Sequence, residues 1–205
     1  MTARDPDGED ARYLEWHAMD HRPEQHRLPG MRGSFRLVAT PGCRAARAAS
    51  VDELDRVDHV IVYLFTDRGD LGPWYDLGAA LFGAGRMPFR LPSIEVATWD
   101  LAGMAVAPRA LVGADVLPWR PARGAYLLVE QGTAPAPELA DVDGVAGVWW
   151  STDPGGRQFT VAFLDDDPVA VAGRLRPVVD ARTPEPLLAG PFHTVVPYEW
   201  DRHLP

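Results

Sequence analysis

Residues 15–30 read EWHAMDHRPEQHRLPG and crowd three histidines, three carboxylates and a tryptophan beside a proline. His17 and His21 stand four apart, so on a helix they share one face. Such a pair binds a divalent metal when a third ligand converges on it. Zinc hydrolases of the His-Glu-x-x-His type need Glu directly after the first histidine. Ala18 stands there, which excludes that reading. The other chemistry is acid–base. An imidazole titrates near neutrality, and a carboxylate can orient it to take a proton from an acidic carbon or a phenol. His21 is the candidate acid/base, Asp20 or Glu24 its orienting partner, and His17 its neighbour. Against this stands a structural reading, in which the cluster caps a helix and braces the turn after it. His193, central in the last expected strand, is the second histidine that can face a ligand. His59 reads as structural, and His26 and His203 as solvent-exposed. Trp16, Trp74 and Trp99 lie on expected elements and suit the wall of a planar apolar ligand, although such residues also build plain cores. Trp149 and Trp150 are adjacent on a strand, so only one can face the interior. Arg32 and Arg36 share a strand face and can hold a carboxylate or an enolate.

Other classes fall away. The chain has 205 residues and a formal charge of −9, so it lacks the basic face that phosphate backbones require. A single cysteine, Cys43, forbids an internal disulfide and a Cys-based zinc site. GAGR at 83–86 follows an expected helix rather than opening one, so no nucleotide loop is present. No GxSxG occurs. No signal-type or membrane-spanning apolar run exists, and a cytoplasmic protein is expected. The arginine-only cation usage carries no mechanism.

These residues must be placed by a fold. Residues 1–8 read as a frayed terminus. A helix is expected over 9–22, stopped by Pro23. Leu28-Pro29-Gly30 turns into a strand at 31–40, and 41–56 is a polar connection. Residues 58–67 form the clearest strand, apolar throughout and therefore covered on both faces. A helix follows at 69–87, then a bent strand or two short ones over 95–113. WRPARG at 119–124 is a linker. Beyond it come a strand at 124–131, a short helix at 136–144, strands at 145–153 and 157–166 joined by Pro154-Gly155-Gly156, a helix at 167–181 and a strand at 190–200. The second half thus reads βαββαβ, the split pattern of ferredoxin-like units. The first half has the same order without its opening strand. The expected class is α+β, with two tandem ferredoxin-like units over 1–118 and 119–205.

The run from Asp5 to Leu37 resembles the dimeric α+β barrel superfamily, in particular its EthD-like and related small proteins. The resemblance rests on Tyr13, Trp16-His17, Asp20-His21, Pro23-Glu24 and the Leu28-Pro29-Gly30 turn. It covers about 33 residues, and the rest agrees in element order alone. It implies two four-stranded sheets joined into one barrel, as a homodimer or as a pseudo-dimer inside one chain. It also implies cyclase, lyase or cofactor-free monooxygenase chemistry on a small apolar, aromatic or polyketide-like molecule, without flavin, nicotinamide or another cofactor. A ligand-binding or assembly protein of the same fold and a metal enzyme using His17 and His21 are the alternatives. The second unit lacks the His/Trp motif, so a site would be single, with His21 reaching the wall of a hollow inside the barrel.

Overall fold

The computed structural model describes residues 1–205. Its second half follows the expected order. Strands β5 (Gly124–Gln131), β6 (Val145–Thr152), β7 (Arg157–Leu164) and β8 (Leu188–Thr194) lie in the order β8-β5-β7-β6. The β5–β6 connection is only a 3-10 turn, Pro137–Asp141. Helix α5 (Pro168–Asp180) starts where Asp167 accepts from the backbone N–H groups of Val169 and Ala170. Pro168 fills its first position, where a missing N–H costs nothing. The apolar side of α5, including Val171, Leu175 and Val179, packs on Tyr126, Leu128 and Ala162.

The first half holds α1 (Asp10–Trp16), a π turn (His17–His21), α2 (Arg22–Gln25), β1 (Met31–Val38), the short α3 (Pro41–Ala45) and β2 (Ala49–Ser50), then β3 (His59–Phe65), α4 (Leu71–Gly83) and β4 (Asp100–Val106). Pro23 does not stop the first helix. The N–H of Arg22 bonds the carbonyl of His17, five residues back. This wider turn gives the proline ring room beside the carbonyl four residues before it, and helix continues to Gln25. Of the bent strand expected over 95–113, only Asp100–Val106 is extended and paired.

The missing opening strand is present, and residues 1–8 are not simply frayed. Thr2 bridges His59 on one side and Ser93 on the other. Met1 accepts from the N–H groups of Ile94 and Glu95, and Ala3 donates to Pro92. The first unit therefore has the same spatial order as the second: the segment around Ser93, the N-terminal residues, β3 and β1. The two units join symmetrically. β1 pairs with β8 at Leu37 and Val38, and β4 pairs with β6. Each unit's second strand thus meets the other's fourth, which is the dimeric α+β barrel arrangement closed within one chain.

Inside the curved sheet, alternate residues of both units converge. Leu37, Val60, Leu127, Phe163 and Phe192 belong to one buried cluster, with Phe35 and Trp149 packed against it. Trp150, on the opposite strand face, packs on the second cluster instead, as alternation demands. Large inward side chains of both units pack into the barrel interior, where an open hollow was expected. The alternate positions, Arg36 on β1 and His59 and Tyr63 on β3, face outward, towards the helices of the first unit.

Candidate functional site

The outward face of β1 and β3 lies under the first helical segment. Leu14, His17, His21 and Gln25 recur on its buried side. The π turn keeps the two imidazoles on one side, with ring centroids 5.6 Å apart. His17 Nε2 lies 2.9 Å from the Tyr63 hydroxyl, and His21 Nε2 lies 2.8 Å from the Gln25 amide nitrogen. Trp16 stacks on His21 at 5.0 Å. Trp74 of α4 packs on the other side of Tyr63, at 5.4 Å. Below them His59 Nε2 donates to the Asp10 carboxylate at 2.6 Å, a structural pair, as expected of His59.

Arg36 is the least explained group in this seam. It is 5 % exposed, its Nε and Nη1 reach neither water nor an acceptor, and it takes part in no ion pair. Its guanidinium lies over the Tyr13 ring at 4.6 Å. A cation–π contact of this kind contributes about 1–2 kcal/mol. Removing an unpaired cation from water costs several kcal/mol. The contact offsets only part of that cost.

The electrostatics follow. Burial pushes the His17 imidazole far below its ordinary value, and the Arg36 charge pushes it further. Burial also lowers His21, with Glu24 and Asp20 opposing and Arg36 assisting. Burial raises the Tyr63 phenol above its usual range. Near neutral pH both imidazoles are therefore uncharged, and the single full charge at the centre of the seam is Arg36.

Neutral imidazoles have tautomers, and Gln25 selects between them. With its amide nitrogen donating to His21 Nε2, the ring proton sits on Nδ1. Turned end for end, the amide accepts from Nε2–H through Oε1, which otherwise has no partner. His21 Nδ1 then carries a free lone pair and is a base. Gln25 was not foreseen from the sequence, although its spacing from His17 and His21 was visible there.

The other expected site residues separate into those beside His21 and those elsewhere. His21, His17, Trp16 and Trp74 meet in the seam. Asp20 and Glu24 do not orient His21. Both bind Arg86, which follows α4; Asp20 does so at 3.0 Å, on the solvent side of the helix. One residue per 100° of helical turn puts Gln25, not Glu24, on the buried face. His193 points away from the barrel interior and stacks on His203 at 4.2 Å. Trp99 packs on Phe159, with Arg157 over its ring, on the other side of the sheet. Arg32 is exposed, because β1 carries an irregularity between Met31 and Gly33 that breaks its alternation with Arg36. No group of three or more His, Cys, Asp or Glu side chains converges, so His17 and His21 lack the third protein ligand that the metal reading needs.

The corresponding face of the second unit buries no histidine; its buried polar groups are Tyr126, Glu130, Gln158 and Thr160, and burial raises the Tyr126 phenol above its usual range. Val148, Ala162 and Leu164 lie there under Leu139 and Ala140, all buried. A cleft of about 320 Å³ in that unit is lined by Glu130, Glu138 and Arg182, among others. Arg182 spans both carboxylates and the Ala134 carbonyl.

No family model matches the chain, and no curated protein matches it. Among solved structures the chain is similar to an anthrone oxidase-like protein, at 14 % identity and a TM-score of 0.46, over 95 % of this chain and 88 % of that one. Neither substrate nor reaction is read from that likeness.

Proposed function

We propose that the seam between the first helical segment and the sheet, within a unit spanning residues 1–118, is the active site of a small-molecule enzyme. His21 is its acid/base, Gln25 sets the His21 tautomer, and the substrate is a small aromatic or polyketide-like molecule bound among Trp16, Tyr63 and Trp74. One observation carries this reading. Equivalent faces of two similar units differ in kind: both leave buried polar atoms without partners, Tyr126, Glu130 and Gln158 among them in the second unit, but only the first gathers two neutral imidazoles beside a buried guanidinium that has no ion-pair partner. Burying unpartnered polar atoms destabilises a fold, and functional sites are where such costs are retained.

In the reaction step the Gln25 amide is turned so that its oxygen accepts from His21 Nε2–H, and His21 Nδ1 takes a proton from an acidic carbon or phenol. The substrate becomes an enolate or phenolate, the imidazole becomes imidazolium, and the proton returns at the end of the cycle. Deuterium exchange of 1,3-dicarbonyl and phenol probes in D₂O, followed by NMR, tests this step without knowledge of the full reaction. The wild-type chain should accelerate exchange at the acidic position, and His21→Ala should abolish the acceleration while keeping probe affinity. Unchanged exchange in His21→Ala would leave the seam a binding site only.

A further inference from the structure

We infer that Arg36 is an anion-holding residue of the first seam, and that the molecule it takes is planar and aromatic with two coplanar oxygens sharing one negative charge. A carboxylate and the enolate of a 1,3-dicarbonyl both have this form. The inference rests on the reading of this seam as the substrate site, and extends it from an apolar molecule to an anionic one.

The hydrogen-bond inventory gives the sign of the missing partner. Arg36 can only donate, and Nε and Nη1 are buried without an acceptor. On the far side of Tyr63, Trp74 Nε1 is likewise a buried donor without a partner. These groups have no tautomer to hide behind. A ligand that completes them must bring acceptors, and beside a full cation the favoured acceptor is a charged oxygen pair. A guanidinium offers two edges, Nε with Nη2 and Nη1 with Nη2, and two coplanar oxygens on either edge accept two parallel N–H···O bonds and so engage one of the two unpartnered nitrogens. No protein carboxylate is paired with it: Asp10 is taken by His59, Asp20 by Arg86, and Glu24 by Arg86 through Oε1, its buried Oε2 keeping no partner.

The walls give the shape. Tyr13 lies beneath the guanidinium, Trp16 covers His21, and Tyr63 and Trp74 close the other side. Flat aromatic faces of this kind suit a planar ligand better than a tetrahedral phosphate. The wall that can yield is α4. Leu81 is the sole buried residue along it, Gly69 and Gly72 lie at its start, and Gly83 and Gly85 lie at its end.

The test compares 2-naphthoate with its neutral methyl ester by calorimetry and tryptophan quenching on the full chain, at fixed ionic strength. Wild type should bind the anion at least tenfold more tightly than the ester. Arg36→Met should bind both alike, Arg36→Lys should keep part of the preference, and His21→Ala should keep all of it. Thermal melts check that each variant is folded. A wild type that does not discriminate, or an Arg36→Met chain that still prefers the anion, overturns the inference. Anion preference without proton exchange would remove the acid–base reading and leave this one standing. Exchange without preference would do the reverse.

Discussion

Replacing Arg36 with methionine should make the protein more stable. The buried guanidinium has two N–H groups without partners, and each unsatisfied buried donor costs about 1–3 kcal/mol. Methionine has similar length, no donors and no charge. The change forfeits the contact with the Tyr13 ring, about 1–2 kcal/mol. Subtracting that loss leaves a gain of about 2 kcal/mol. A chain of this length shifts its Tm by about 2–4 °C per kcal/mol, so a rise of roughly 4–8 °C is expected. Arg47→Met is the matched control. The Arg47 side chain is 4 % exposed, but it donates to the Asp55 carbonyl at 2.7 Å and to the Val57 carbonyl, and lies 3.7 Å from the Asp55 carboxylate. Its loss strands those acceptors and should cost about 2–3 kcal/mol. Urea unfolding of the two variants at pH 7.5 gives both numbers. Were Arg36→Met to lose stability as Arg47→Met does, Arg36 would be a structural arginine, and the case for a seam shaped by function would collapse.

Acidification should destabilise the fold through its buried imidazoles. Burial depresses His17, His21 and His59 in the folded state, whereas unfolded histidines titrate at their ordinary value. The unfolded chain therefore binds more protons below about pH 6.5, and stability present above that pH is lost as pH falls. Each imidazole contributes a slope of up to about 1.4 kcal/mol per pH unit. Urea midpoints at pH 7.5, 6.5 and 5.5 measure the slope, and His17→Leu should flatten it. Gly147→Ala should loosen the β4–β6 junction, because a Cβ there would lie 2.5 Å from the Ala105 carbonyl oxygen and 2.6 Å from Leu117. Faster amide exchange in β4 than in β5 would register it, and equal protection would count against that strand as the closing contact. Arg86→Ala breaks exposed ion pairs to Asp20 and Glu24. It should change stability by less than about 1 kcal/mol and leave His21-dependent exchange intact; loss of exchange would restore those carboxylates to the mechanism.

Much of the architecture was legible in order and period alone. The βαββαβ pattern of the second half, the Asp167-Pro168 helix start and the alternation of Trp149 and Trp150 follow from local rules that no tertiary contact overrides. The pairing of His17 with His21, beside Trp16, was equally visible, since helical spacing is a local property. Three features belonged to the tertiary structure. The first strand, residues 1–3, is too short to show a period, and exists only because β3 and the Ser93 segment supply hydrogen-bond partners on both sides. Whether the barrel is hollow depends on the summed volume of inward side chains from eight strands distant in sequence, and Phe35, Phe163 and Phe192 pack into it. Which polar group answers His21 depends on a few tens of degrees of helix rotation, altered by a π turn around Pro23, and that rotation sends Asp20 and Glu24 to Arg86 and Gln25 inward. Sequence spacing placed the imidazoles on one face; only packing decided what that face was pressed against, and left Arg36 there without a counter-charge.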